Sequence, residues 1–159
     1  MSIEDKERKI VSRIIKQLSK SENPDLLVSE IARMSYGNRG AIDTPEKAAN
    51  CFNHIRAKKQ EHFAVLTLDG AMQFINCHVV TIGTLTASLV HPREVFALAI
   101  EDRAATIIIA HNHPSGSLDI SSQDRKVTSV IKNAGEIINI PMTDHLIVTE
   151  NEFVSVPGE

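Results

Sequence analysis

The chain has 159 residues, 42% hydrophobic and 23% charged, and a net charge of −3, which suits one soluble globular domain with a short appendage. This mild acidity excludes the strongly basic surface with which non-specific nucleic-acid binders neutralise phosphates, so charge gives no indication of DNA binding. No stretch reaches the roughly 20 apolar residues of a membrane span, the charged start Met1–Lys6 lacks the apolar run of a signal peptide, and Cys51 and Cys77 form no CxxC or disulfide framework. The expectation is a cytoplasmic protein with free thiols.

Residues 1–40 read as an N-terminal helical extension. Ile10, Ile14 and Leu18 recur at helical spacing, Asn23-Pro24 breaks the pattern, and Leu26, Leu27, Ile31 and Met34 mark a second helix. The basic runs Lys6-Glu7-Arg8-Lys9 and Arg56-Ala57-Lys58-Lys59 read as solvated helix faces. Gly37–Gly40 is the expected boundary, with the main domain over 41–159. Thr44-Pro45 starts a helix predicted to run to Lys58, with Thr44 as cap. Glu61–Asp69 reads as a strand, Asp69-Gly70 as a hairpin turn and Phe74–Ile82 as the returning strand. His91-Pro92 opens a further helix. Ala105–Ala110 is an unbroken apolar run, as in a strand covered on both faces. A helix follows over 122–134, closed by Gly135, and 137–140 and 146–149 read as short late strands. Strands alternating with helices imply an α/β layered fold.

The chemistry gathers at the end of the apolar run. His111 and His113 are two positions apart, so in extended backbone both imidazoles point to one side. Neutral imidazole is a standard zinc ligand. Asp124, in the first turn of the next helix, offers a third, oxygen ligand. Two His and one carboxylate leave a fourth position for water, as in catalytic zinc sites, where the metal brings the water pKa to about 7. Taken singly, the parts have plainer explanations: a His pair at this spacing arises by chance, and Ser121-x-x-Asp124 fits a helix capping box. The capping and ligand roles are compatible within one turn. A base is also needed. Glu61, at a strand entrance, is one candidate, and a solvated edge residue is the other way to read it. His145, beside Asp144, reads as a structural histidine with satisfied hydrogen bonds, the other option being a group behind the ligands or against substrate.

His111-x-His113-Pro114 followed by Ser121-x-x-Asp124 resembles the JAMM motif of the JAB/MPN metalloprotease superfamily. His111-Asn112-His113-Pro114-Ser115-Gly116 resembles its RadC-like branch. Glu61–Asp69, Gly83-Thr84-Leu85, His91–Phe96 and Asp144–Val148 agree with that branch, over roughly residues 42–153. The resemblance implies a twisted mixed β-sheet flanked by helices, similar to zinc nucleoside deaminases. It also implies a Zn2+ held by His111, His113 and Asp124, with Glu61 as general acid/base and Ser121 donating to the developing oxyanion. The implied reaction is hydrolysis of a peptide or isopeptide bond, and the implied partner a protein or peptide substrate. The chain departs from the branch in two ways. The helix-hairpin-helix domain usual at the N-terminus is absent from its first forty residues, which resembles the short form of mobile-element proteins. Ser117–Ile120 also replaces the more common Asp-Pro-Thr-Pro.

Two other functions compete. One is a non-catalytic module of DNA-repair or mobile-element type that binds protein or DNA, with the N-terminal helices available to pair two copies. The other is a metal-dependent nuclease. A zinc deaminase is excluded, since it needs H-x-E and P-C-x-x-C elements and the sequence has neither.

Overall fold

The computed structural model describes Lys16, residues 40–83 and residues 90–158. Apart from Lys16 and Gly40, the expected N-terminal extension lies outside the described residues, and with it the pairing of copies through its helices. Among the described residues no helix is long and apolar enough to cross a membrane.

The chain runs α1 (Pro45–Cys51), α2 (Asn53–Arg56), β1 (His62–Leu68), β2 (Phe74–Ile82), α3 (Pro92–Glu101), β3 (Thr106–Asn112), α4 (Ser122–Ile138), β4 (Met142–Val148) and β5 (Phe153–Ser155). The five strands form one sheet in the order β2-β1-β3-β4-β5. β1 is antiparallel to both β2 and β3, and β4 is antiparallel to β5. β3 and β4 are parallel, joined by the α4 crossover. This is the mixed, helix-flanked sheet that the sequence implied.

Strand periodicity sorts the core into two layers. Ala64, Leu66, Leu68, Ile108, Ala110, Leu146 and Val148 pack with Ala48, Phe52 and Ile55 of α1 and α2. Phe63, Val65, Ile107 and Ile109 pack with Val95, Phe96 and Ala99 of α3 and with Val127 and Ile131 of α4. All seven residues of β3 are buried, as a strand covered on both faces requires. The same alternation carries His111 onto the α4 side with Ile107 and Ile109, and turns Asn112 toward the opposite side. The fold thus aims the histidines at the helix that bears Asp124.

Several local expectations change. The first helix is broken at Phe52, which leaves helical geometry at φ −97° and ψ 13°. Phe52 and Ile55 are both fully buried, and the break lets both side chains enter one core. The β1–β2 hairpin forms, but its turn is longer than Asp69-Gly70. The Asp69 carboxylate accepts the Ala71 and Gln73 N–H groups at 2.8 and 2.9 Å, and the left-handed position falls on Met72 at φ 59°. His91 stands at the N-cap of α3, with Pro92 following, but its side chain makes no cap hydrogen bond.

The largest correction concerns Gly135. It does not end α4. The helix continues through it to Ile138 and closes on Asn139 in the left-handed conformation, so the strand expected over 137–140 is the last helical turn and its exit. Gly135 serves close packing instead. A Cβ there would lie 2.6 Å from the Ile140 carbonyl oxygen and 3.2 Å from the Phe96 ring.

Candidate metal centre

The site lies at the carboxyl end of β3 and the N-terminus of α4, the end of an α/β crossover where ligands characteristically bind. β3 delivers His111, fully buried, and His113 follows one residue past the strand. Thr44 and Ser121 cap their helices as their sequences predict. Ser121 and Asp124 form the complete capping box of α4: the Asp124 N–H donates to Ser121 Oγ at 3.1 Å, and the Ser121 N–H donates to Asp124 Oδ2 at 2.7 Å. The helix N-terminus also favours a carboxylate through its dipole. The capping box of Asp124 therefore leaves its Oδ1 facing His111.

His111 Nε2 lies 3.0 Å from His113 Nε2 and 3.1 Å from Asp124 Oδ1. One ligand atom from each of the three residues lies within 4.8 Å of the others. Among the described residues this is the group of His, Cys, Asp and Glu side chains that converges in this way.

The donor chemistry fits a zinc ion. Zinc–nitrogen bonds of about 2.0–2.1 Å at tetrahedral angles hold ligand atoms about 3.3 Å apart, close to the two His111 spacings, while His113 Nε2 stands 4.0 Å from Asp124 Oδ2. His113 Nδ1 lies 2.8 Å from the Ser117 carbonyl oxygen. A carbonyl only accepts, so Nδ1 is the donor and Nε2 of the neutral ring keeps its lone pair for the centre. Gly116, at φ 78°, makes the turn that brings Ser117 back beneath the ring. Asp124 Oδ2 accepts the Ser121 N–H and O–H, each at 2.7 Å, and lies 4.0 Å from His113 Nε2, while Oδ1 faces His111. Burial by itself would raise the Asp124 pKa. The neighbouring His111, and then the hydrogen bonds from Ser121, outweigh it and hold the carboxyl well below the usual carboxylate range.

Ser121 stands beside Asp124, with its hydroxyl proton directed at Oδ2. Glu61 is not one of the converging group. It is half-buried at the entrance of β1, and its carbonyl accepts the Gly83 N–H at 2.8 Å. β1 and β3 pair with Phe63 opposite His111, so continuing the antiparallel register brings Glu61 alongside His113.

Two contributors escaped the sequence reasoning. Asn112, fully buried, clips the chain on either side of Glu61. Its Oδ1 accepts the His62 N–H at 2.6 Å, and its Nδ2 donates to the Lys58 and Gln60 carbonyls at 3.1 Å. The signal was available: in a strand buried on both faces, a polar residue between two ligands points away from them and needs partners of its own. Thr128 lies one turn after Asp124 on the buried stripe of α4, and its hydroxyl donates to the Asp124 carbonyl at 2.7 Å. His145 is buried behind His111, its Nε2 3.0 Å from His111 Nδ1.

Comparison with known proteins agrees with this architecture. A family profile for the RadC-like JAB domain matches residues 42–159. A UPF0758 protein of Methanospirillum hungatei is 52% identical over 102 residues, covering 64% of this chain and 45% of that protein. UPF0758 proteins of Geobacillus and Chlorobaculum tepidum are 44% and 48% identical, covering 79% and 80% of this chain and 56% and 60% of their own. The chain thus spans about half the length of the curated relatives it matches. Fold, site and profile define an α/β domain of JAB type with a candidate metal centre. The chain belongs to the RadC-like JAB family, and this membership supports a metal-dependent, hydrolase-like module.

Proposed function

We propose that the protein is a zinc-dependent hydrolase that cleaves an amide bond, peptide or isopeptide, in a protein or peptide substrate. The observation that carries this is the convergence of His111, His113 and Asp124, with His113 turned by the Ser117 carbonyl so that its Nε2 faces the others. Two imidazoles and one carboxylate are a catalytic rather than a closed structural donor set.

Zinc bound there supplies a Lewis acid that brings the pKa of water to about 7. The chain's own residues do the rest. Glu61, at the β1 entrance, takes the proton from the attacking water and returns it to the leaving amine. Ser121 turns its O–H from Asp124 Oδ2 toward the developing oxyanion, and Oδ2 retains the Ser121 N–H. Asn112 keeps the Glu61 segment in place through its three main-chain hydrogen bonds.

The test is unbiased in substrate. Zinc-loaded full-length protein is incubated with a proteome-derived peptide library, and new termini are read by mass spectrometry, in parallel with the Glu61→Gln variant. New termini from the wild type, absent with Glu61→Gln, support the proposal. A zinc-loaded wild type that yields none, or a variant that yields the same set, refutes it. Single- and double-stranded DNA in the same buffer provides the contrast, and cleavage of DNA alone would make the protein a nuclease instead.

A further inference from the structure

We propose that His145 and Thr128 form a positioning relay that fixes the proton of His111 on Nδ1 and so turns His111 Nε2 toward the metal. This rests on the zinc centre proposed above and deepens it.

The direction of the relay follows from its far end. The Asp124 main-chain carbonyl has no proton to give, and Thr128 Oγ1 lies 2.7 Å from it. The single hydroxyl proton of Thr128 goes there, as helical Thr commonly bonds the carbonyl one turn back. Thr128 Oγ1 is then an acceptor toward His145 Nδ1, also at 2.7 Å, so the His145 proton sits on Nδ1. His145 is 1% exposed. Its two ring nitrogens face His111 and Thr128 and no carboxylate, and an unpaired charge buried this deeply is costly, so the ring is neutral and carries that one proton. Its Nε2 is therefore a lone pair. His111 Nδ1, 3.0 Å away, must donate to it. What remains to His111 is Nε2, the atom that faces His113 and Asp124.

The relay begins at the main chain of one ligand, Asp124, and ends on the ring of another, His111. It passes from α4 to β4 to β3. The sheet register sets Ile109 opposite His145, and the Phe63 ring packs against His145 at 6.2 Å and 73°, which leaves the imidazole little freedom to turn. Partners behind a ligating histidine fix its tautomer and orientation, and their loss typically weakens metal binding 10–100-fold.

Two readouts on the full chain test this. Zinc titration compares the wild type with His145→Leu, His145→Gln and Thr128→Val. Leu fills similar space but offers no acceptor, whereas Gln keeps an acceptor for His111 and a donor for Thr128. The expected result is 10–100-fold weaker binding for His145→Leu, a smaller loss for Thr128→Val, and recovery toward wild type in His145→Gln. Nitrogen-15 NMR of the histidine-labelled wild type is expected to show His145 protonated on Nδ1 and not on Nε2. A wild type with His145 protonated on Nε2 overturns the relay, as does a folded His145→Leu that binds zinc as tightly as wild type while His113→Ala does not. A wild type that binds no zinc overturns the metal centre itself.

Discussion

Among the described residues, two histidine–carboxylate clusters differ in what their atoms are left to do, and one of them is the candidate metal centre. On β2, His78 Nε2 lies 2.7 Å from Asp102 Oδ2, and the same oxygen accepts the Thr67 hydroxyl at 2.7 Å. Asp102 follows directly on α3, so this cluster ties the helix end to β1 and β2. The contacts close on each other, and among the described residues no third ligand atom converges there. At the end of β3 the arrangement is reversed. The Ser117 carbonyl, the His145 ring and the Ser121 hydroxyl take the outward sides of His113, His111 and Asp124, and the inward atoms of these three face one another. Similar side chains thus give a structural clamp or a candidate metal centre, depending on which of their atoms the surrounding fold already occupies.

The sharpest way to break this comparison is to remove a ligand from each cluster. His113→Ala is expected to abolish zinc binding, while His78→Ala leaves it unchanged, both read by calorimetric titration. If the two variants behaved alike, the distinction would fail. Asn112→Leu comes next. It leaves the His62 N–H and two carbonyls without their partner, and is expected to lower unfolding stability by about 2–3 kcal/mol, read from denaturant curves. Gly135→Ala forces a Cβ against the Ile140 carbonyl and is expected to cost about 2 kcal/mol with zinc affinity intact, since the strain lies at the far end of α4. Smallest is Asp102→Asn, which weakens a partly exposed clamp. It is expected to cost about 1 kcal/mol or less in thermal melts, again with zinc affinity intact.

The sequence pattern made the convergence of His111, His113 and Asp124 legible for a physical reason. The period of two along β3 places His111 and His113 on one side of any strand, and the capping box places Asp124 in the first turn of the next helix, whatever the rest of the fold. The relay was not legible in the same way. His145 and Thr128 lie 34 and 17 positions from His111, and only the β3–β4 register and the pitch of α4 bring them together. The course of α4 past Gly135 was hidden for a similar reason. A glycine near a helix end has two uses, capping and close packing, and only the position of Phe96 and Ile140 decides between them.

The most direct test of the account is the zinc K-edge absorption spectrum of the full chain loaded with one equivalent of zinc. A centre of His111, His113 and Asp124 gives a first shell of nitrogen and oxygen alone, with the outer-shell scattering of two imidazoles, and loses one imidazole in His113→Ala. A shell containing cysteine sulfur, or a spectrum that His113→Ala leaves unchanged, would contradict it.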